Sequence, residues 1–300
     1  MNQLQKYTWL IETIRRAGKI SHKDLSARWE RNAELSDSKP LCRATFNRWK
    51  DAISDQFGIT IQCQKTGGYL YFIANPEDIS QDRLKKWMLD SFAVGNTIGE
   101  NLSLKGRILV DEIPSGRYHL TTMLEAMKEN RVVNLTYKSF ILPEPFTVLL
   151  EPYCVKLFDN RWYVLGRNET GQIRIYGLDR IQNAELTEKP FKLPKDFDAA
   201  DYFSTVFGIV IGHDGEPEKI VIRAHNSHKH YLNSLPLHHS QQLIADCDKY
   251  ADFELYLAPT YDFIMRLLHY GSMIEVISPA SLRKTIKGKI SDMYQFYKND

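Results

Sequence analysis

An α+β chain of several modules is what the sequence predicts, and three observations predict it. Apolar residues recur at helical spacing through the first 58 positions, then give way to a glycine-turned hairpin. Between 131 and 190 the pattern alternates with a period of two, in short runs separated by turn residues. Beyond 218, strand and helix patterns follow in the order β-α-β-β-α-β. With 300 residues the chain is long for one domain. The expected division is a DNA-binding module over 1–75, a helical linker over 76–130, a small barrel over 131–190, a connector over 191–217 and an α+β module over 218–300.

In the first module Tyr7, Leu10, Ile11, Ile14 and Ala17 form one helical stripe, and Gly18 stops it. Ser21 suits an N-cap, with Asp24 three residues on and Leu25 and Trp29 as the apolar face of a short second helix. After a polar loop over 31–40, a third helix runs through Arg43, Phe46, Trp49 and Ile53 and ends at Gly58. Strand patterns 59–64 and 69–73 flank Lys65-Thr66-Gly67-Gly68, a hairpin signal. Three helices followed by a hairpin make a winged helix-turn-helix.

The linker carries one amphipathic pattern through Leu84, Trp87, Met88, Ser91, Phe92 and Gly95; Ile113-Pro114-Ser115-Gly116 breaks it and Leu120–Lys128 resumes it. Five strand patterns follow, at 132–137, 146–155, 161–167, 172–178 and 181–186, which suggests a small barrel. The last module has the ferredoxin-like split order, ending in a helix over 280–297.

Composition excludes several classes. Formal net charge is +2, so any nucleic-acid surface is local. Residues 1–73 hold 12 Lys and Arg against 7 Asp and Glu, which places the positive excess in the first module. Cys42, Cys63, Cys154 and Cys247 show no Cys-x-x-Cys pair and are expected to be small buried hydrophobes. The first residues lack a signal-peptide pattern and no apolar run approaches the roughly 18 residues of a membrane span, so a cytoplasmic, soluble protein is expected. His225, His228, His230, His238 and His239 lack zinc spacing, and Asp248, Asp252 and Glu254 are expected to face solvent. There is no phosphate-cradling glycine loop and no nucleophile elbow, so neither a cofactor nor a catalytic set is expected, and the reading is not an enzyme.

A helix that enters the major groove needs polar and basic side chains outside and apolar ones behind. Phe46, Trp49 and Ile53 supply the inner stripe of the third helix and leave Arg43, Thr45, Asn47, Arg48 and Lys50 outside. Arg reads guanine and Asn reads adenine bidentately, while Thr and Lys suit phosphate or methyl contacts. Lys65 and Thr66 sit where a wing tip would touch phosphate. A solvated face on an ordinary helical domain is the alternative; the position just before a hairpin favours double-stranded DNA.

In the barrel, Arg161, Tyr163, Leu165 and Arg167 alternate with Trp162 and Val164, and Arg174 and Tyr176 alternate with Ile173 and Ile175. Neighbouring strands with interleaved arginines and tyrosines suit a ligand that bears phosphate and a base. The same pattern also fits a solvated outer face.

The runs Glu151-Pro152-Tyr153-Cys154-Val155-Lys156, Arg161-Trp162-Tyr163-Val164-Leu165-Gly166-Arg167 and Tyr176-Gly177-Leu178-Asp179-Arg180-Ile181 resemble the WYL domain, whose naming triplet stands here as Trp162-Tyr163-Val164. The likeness extends to the winged helix and to the C-terminal segment with Leu235-Pro236-Leu237-His238-His239-Ser240 and Ile277-Ser278-Pro279, the three-part layout of bacterial WYL regulators. The resemblance implies an Sm/SH3-like barrel that senses an anionic effector, a nucleotide or single-stranded nucleic acid, and a C-terminal extension that helps form a homodimer. It also implies effector contacts at Tyr163, Arg174 and Arg180, with Lys156 and Arg167 beside them. In one departure, Leu150-Glu151 stands where many relatives carry a basic residue, which weakens the case for a polyanion and leaves room for a smaller ligand.

Two functions follow as expectations. One is an effector-responsive transcription regulator. The other is an accessory protein whose barrel binds RNA or single-stranded DNA while the helical domain docks partners. A hydrolase or nuclease lacks a catalytic set.

Overall fold

The computed structural model describes residues 3–32, 36–99, 101–109, 116–210 and 216–298. The chain divides into two compact units, Met1–Asp111 and Glu112–Asp300.

In the first unit, α1 (Gln3–Ala17) ends at Gly18, whose φ of 68° an L side chain adopts reluctantly. Strand β1 (Ile20–Ser21) leads into α2 (His22–Arg31), where Ser21 Oγ accepts from the Asp24 N–H at 3.1 Å. Helix α3 (Arg43–Phe57) closes on Gly58 in the left-handed conformation, and the Gly58 N–H donates to the Ser54 carbonyl at 2.9 Å. Strands β2 (Ile61–Gln64) and β3 (Leu70–Ile73) form an antiparallel hairpin around Gly67 and Gly68, and β1 adds to β3. Leu10, Ile11, Ile14, Leu25, Phe46 and Ile53 are fully buried between the helices. Each such side chain contributes about 1.5–3 kcal/mol of hydrophobic stabilisation. Trp29 packs edge-on against Trp49, their rings 5.0 Å apart, so α3 is anchored from behind.

Helices α4 (Pro76–Gln81) and α5 (Arg83–Gly99) complete this unit. Helix α5 lies on α1: Asn96 Nδ2 donates to the Gln5 carbonyl at 3.2 Å and to Thr8 Oγ1 at 3.0 Å, and Arg15 pairs with Asp90 at 3.1 Å. Its inward side is Leu89, flanked by Met88, Phe92 and Ala93, while Leu84 and Trp87 are exposed. The stripe expected from sequence is therefore rotated, because α1 offers polar partners at this contact and α5 meets them with Asn96 and Asp90.

Of the break expected at 113–116, residues 113–115 lie outside the described residues. Gly116, with φ 118°, starts α6 (Arg117–Glu129) in the second unit. Strands β4 (Arg131–Tyr137), β5 (Phe146–Phe158), β6 (Arg161–Asn168), β7 (Ile173–Gly177) and β8 (Ile181–Pro190) form one antiparallel sheet in the order β7-β6-β5-β4-β8. Asp159 and Asn160 join β5 to β6 with φ of 43° and 59°, the two positive values a tight hairpin turn needs. Strands β7 and β8 occupy opposite edges yet are joined by the single 3-10 turn Leu178–Arg180. A flat sheet of this order would hold those edges roughly 19 Å apart, whereas four residues span at most about 14 Å. The sheet is therefore curled. Met123 and Ala126 of α6 cover its inner face at Val133, Leu135, Leu150, Val164 and Tyr176.

The segment after β8 holds α7 (Ala199–Tyr202), capped by Asp198, and residues 211–215 lie outside the described residues. Strands β9 (Glu218–His225), β10 (Gln242–Asp246), β11 (Tyr250–Leu257) and β12 (Ile274–Ser278) pair antiparallel in the order β10-β11-β9-β12. Helix α8 (His228–Ser234) carries the chain from β9 past β11 to β10, and α9 (Tyr261–His269) carries it from β11 past β9 to β12. Ile220, Ile222, Phe253, Leu255 and Phe263 form the core beneath them. Helix α10 (Ala280–Tyr297) buries Leu282, while Ile290, Met293, Tyr294, Phe296 and Tyr297 stand exposed.

Two further expectations fail. Cys42 and Cys247 are exposed and Cys63 and Cys154 are only half-buried, because Cys42 occupies the N-cap of α3 and Cys247 the β10–β11 turn, both outside the apolar stripes. Asp252 is covered rather than solvated, although it lies on the sheet face away from the core residues Ala251 and Phe253: Arg223 grips it bidentately at 2.7 and 2.8 Å and lies 3.7 Å from the Tyr250 ring centre. Among the described residues no helix is long and apolar enough to cross a membrane.

Candidate nucleic-acid interface and effector site

On α3, Arg43, Asn47 and Arg48 are exposed. Thr45 is half-buried and its Oγ1 accepts from the Cys42 thiol at 3.1 Å; Lys50 is half-buried, 3.9 Å from Asp51. The first carboxylate along the helix is Asp51, so its first two turns present only neutral and cationic groups. The unsatisfied N–H groups of a helix N-terminus favour an anion at that end. Lys65 and Thr66 are exposed at the hairpin tip. The tip is braced by a short chain: Lys19 Nζ donates to Gln64 Oε1 at 2.7 Å, and Gln64 Nε2 donates to the Thr66 carbonyl at 3.0 Å. Lys19 lies 45 residues from Gln64 in sequence, a separation that hid this support. His22, also missed, packs edge-on to Phe46, and burial, aided by Arg43, lowers its imidazole pKa.

The six expected effector residues do not form one site. Strands β6 and β7 pair Tyr163 with Gly177, Val164 with Tyr176 and Gly166 with Arg174. Directly paired residues point to the same face. Arg161, Tyr163 and Arg167 therefore share a face with Ile173, Ile175 and Gly177, while Arg174 and Tyr176 lie on the opposite face with Val164 and Gly166. The interleaved surface expected from alternation is divided between two sides of the sheet. Tyr176 is buried, edge-on to Tyr137 at 5.0 Å, which makes it a core residue. Arg174 is exposed and donates to Gln172 Oε1 at 2.7 Å. Arg167 is tied at 2.7 Å to Glu151, the residue at which this chain departs from the family pattern, so the departure neutralises a candidate cation. Lys156 donates to the Gly208 carbonyl at 2.6 Å and sits 3.8 Å from the Phe203 ring centre; burial lowers its pKa to about 8.

Tyr163 and Arg180 do come together, with partners the motif reading passed over. Arg161 Nη1 donates to Asp179 Oδ2 at 3.0 Å. The Arg180 guanidinium lies 5.3 Å from the Tyr137 ring centre and 4.9 Å from that of Phe140. Tyr163 is buried beside them, and burial raises its hydroxyl pKa against the opposing pull of Arg161. Gly177 leaves the room this arrangement needs, since a Cβ there would stand 2.6 Å from Asp179 Oδ1 and 2.8 Å from Arg180 Nη2. Phe140 is 77% exposed, on a β4–β5 loop with no periodic pattern to mark it. Two guanidinium groups, one carboxylate and an open ring face suit an anion that carries a flat group. On the other side of the same turn, the Gly116 Cα packs so closely on Leu178–Asp179 that a Cβ would stand 2.9 Å from the Asp179 nitrogen.

The WYL domain profile matches residues 118–186 and the WCX domain profile matches residues 216–294, so the chain carries both domains. No curated protein matches the sequence. Solved structures similar to it include proteasome accessory factor B/C (PafBC) of Arthrobacter aurescens, 18% identical with a TM-score of 0.30, covering 85% of this chain and 41% of that one. The chain thus spans about two fifths of PafBC. A CRISPR Cas-related protein matches at 8% identity with a TM-score of 0.40, covering 100% of this chain and 87% of that one.

Proposed function

We propose that this WYL- and WCX-domain protein is a DNA-binding transcription regulator whose curled sheet senses an anionic effector, and that it is not an enzyme. In this reading the first unit is a winged helix-turn-helix with α3 as recognition helix. The curled sheet is an Sm/SH3-like barrel, and the C-terminal module is a ferredoxin-like domain that joins two copies. One observation carries the proposal: α3 presents Arg43, Asn47 and Arg48 to solvent with no carboxylate before Asp51, directly ahead of a glycine-turned hairpin tipped by Lys65. That is the arrangement a helix needs to meet a polyanion along a groove.

An effector regulates only if it binds the DNA-competent and incompetent states with different affinity. The contact between Gly116 and Leu178–Asp179 supports a route for this, since a ligand that displaced the 178–180 turn would displace the start of α6. The apolar, exposed distal half of α10 supports a second copy as partner.

A mobility-shift titration on the gene's own upstream region tests the proposal. Arg48→Ala should weaken binding about tenfold or more with an unchanged unfolding midpoint. No binding by the unaltered protein at any salt concentration refutes it. A second reading, an accessory protein that binds single-stranded nucleic acid through the sheet, draws on the exposed Phe140 ring beside Arg180. It requires Arg180→Ala to abolish nucleic-acid binding and Arg48→Ala to leave it intact.

A further inference from the structure

We infer that Asp179 is a built-in competitor for the effector's anionic group, and that it makes the site selective for a phosphomonoester dianion over phosphodiester monoanions. The inference rests on the reading of Arg161 and Arg180 as effector contacts. One Asp179 oxygen is engaged, accepting from Arg161 at 3.0 Å. The other, Oδ1, is buried, and among the described residues it accepts no hydrogen bond; the same holds for Arg180 Nε as donor. These two atoms stand 4.0 Å apart, beyond hydrogen-bond reach. The pair is half-made: Asp179 hydrogen-bonds one guanidinium and only approaches the second, whose Nε is left without a hydrogen bond.

Arg180 does not close the gap, because its guanidinium lies against the Tyr137 and Phe140 rings. A buried donor left unpaired costs free energy, and an anion that accepts from Arg180 Nε regains that cost. A singly charged phosphodiester that displaced Asp179 from Arg161 would exchange one monoanion for another. Either anion can offer an oxygen to Arg180 Nε, but only a dianion brings the second negative charge that two guanidinium groups together balance. The Arg167–Glu151 pair on the same face removes the next cation along, which removes support for a long phosphodiester track.

The phosphomonoester could belong to a free nucleotide or to the 5′ end of a nucleic acid. Three probes separate these sources: thymidine 5′-monophosphate, 5′-phosphorylated oligo(dT) and unphosphorylated oligo(dT). Their dissociation constants are measured by calorimetry on the full chain, with Asp179→Asn and Arg180→Ala as variants. The unaltered protein should prefer a phosphomonoester probe over unphosphorylated oligo(dT) by about tenfold or more, the equivalent of one charge-assisted hydrogen bond. Asp179→Asn should tighten unphosphorylated oligo(dT) and erase that preference, and Arg180→Ala should lose all three probes. Tighter binding of the mononucleotide than of the phosphorylated oligomer identifies a free nucleotide as the source; the reverse identifies a nucleic-acid end. If Asp179→Asn weakens every probe, or leaves the ratio unchanged, Asp179 merely positions the arginines and the inference falls while the effector reading stands. If the unaltered protein binds none of the probes, the effector reading falls with it. Asp179→Ser provides the same test should the asparagine variant fail to fold.

Discussion

The two candidate anion-binding surfaces handle their cationic side chains in opposite ways. On α3 and the hairpin tip, Arg43, Arg48 and Lys65 make no ion pair among the described residues, and Lys50 has only a loose one, 3.9 Å from Asp51. On the curled sheet each expected cation except Arg180 is tied to a nearby acceptor: Lys156 to the Gly208 carbonyl, Arg167 to Glu151 and Arg174 to Gln172. Arg161 is held by Asp179. An uncompensated surface attracts any polyanion, steeply and with strong salt dependence. A compensated one binds only what outcompetes its internal partners. In the proposed function, the difference separates a surface suited to a constant polymer from a site suited to choosing among anions.

The contrast can be broken most severely at Gly177. Gly177→Ala places a Cβ against Asp179 Oδ1 and Arg180 Nη2, the ends of flexible side chains, at an ordinary φ of −72°. It should lower phosphomonoester affinity about tenfold or more, on the scale of one lost charge-assisted contact, while DNA binding and thermal stability change little. Calorimetry alongside a melting curve reads both. An unchanged affinity would mean that the Asp179–Arg180 arrangement is not the site.

A milder change sharpens the comparison from the other side. Glu151→Gln frees Arg167 and makes the sheet face resemble α3 in charge. Affinity for unphosphorylated oligo(dT) should rise a few-fold, with a steeper salt dependence. A salt titration that returns the same slope for both proteins would show Arg167 to be remote from the ligand.

The smallest effect concerns Lys156. Burial holds its folded pKa near 8, below the unfolded value, so between these limits the unfolded chain binds more protons and stability rises with pH. Cys154 works in the opposite sense above its unfolded value, since burial raises its folded pKa to about 11 and the unfolded thiol ionises first. The rise should therefore show between about pH 7.5 and 9 in denaturant midpoints, and Lys156→Met should flatten it. A slope of equal size in the variant assigns the effect to another group.

Much of the local structure was legible because its causes are local. Ser21, Gly58 and the Asp159-Asn160 pair terminate or turn the chain through their own hydrogen bonds and backbone angles, and they do so where the pattern placed them. The outer face of α3 was legible for the same reason: once Phe46, Trp49 and Ile53 pack inward, the helical period sends Arg43, Asn47 and Arg48 outward. The face of α5 was not, because its partner α1 supplies polar groups that no apolar stripe anticipates.

The candidate effector site lies at the other extreme. The sequence by itself determined that β6 and β7 alternate and that each carries Arg and Tyr. Which rows share a face was decided only by register, because a period of two looks the same after any shift and both faces of β6 hold buried residues. Tertiary structure also decided that Glu151 silences Arg167, that a patternless loop brings Phe140 over Arg180, and that Gly177 makes room for a half-formed pair. Those contacts join residues far apart in sequence or depend on the curl of the whole sheet, and no local signal encodes them.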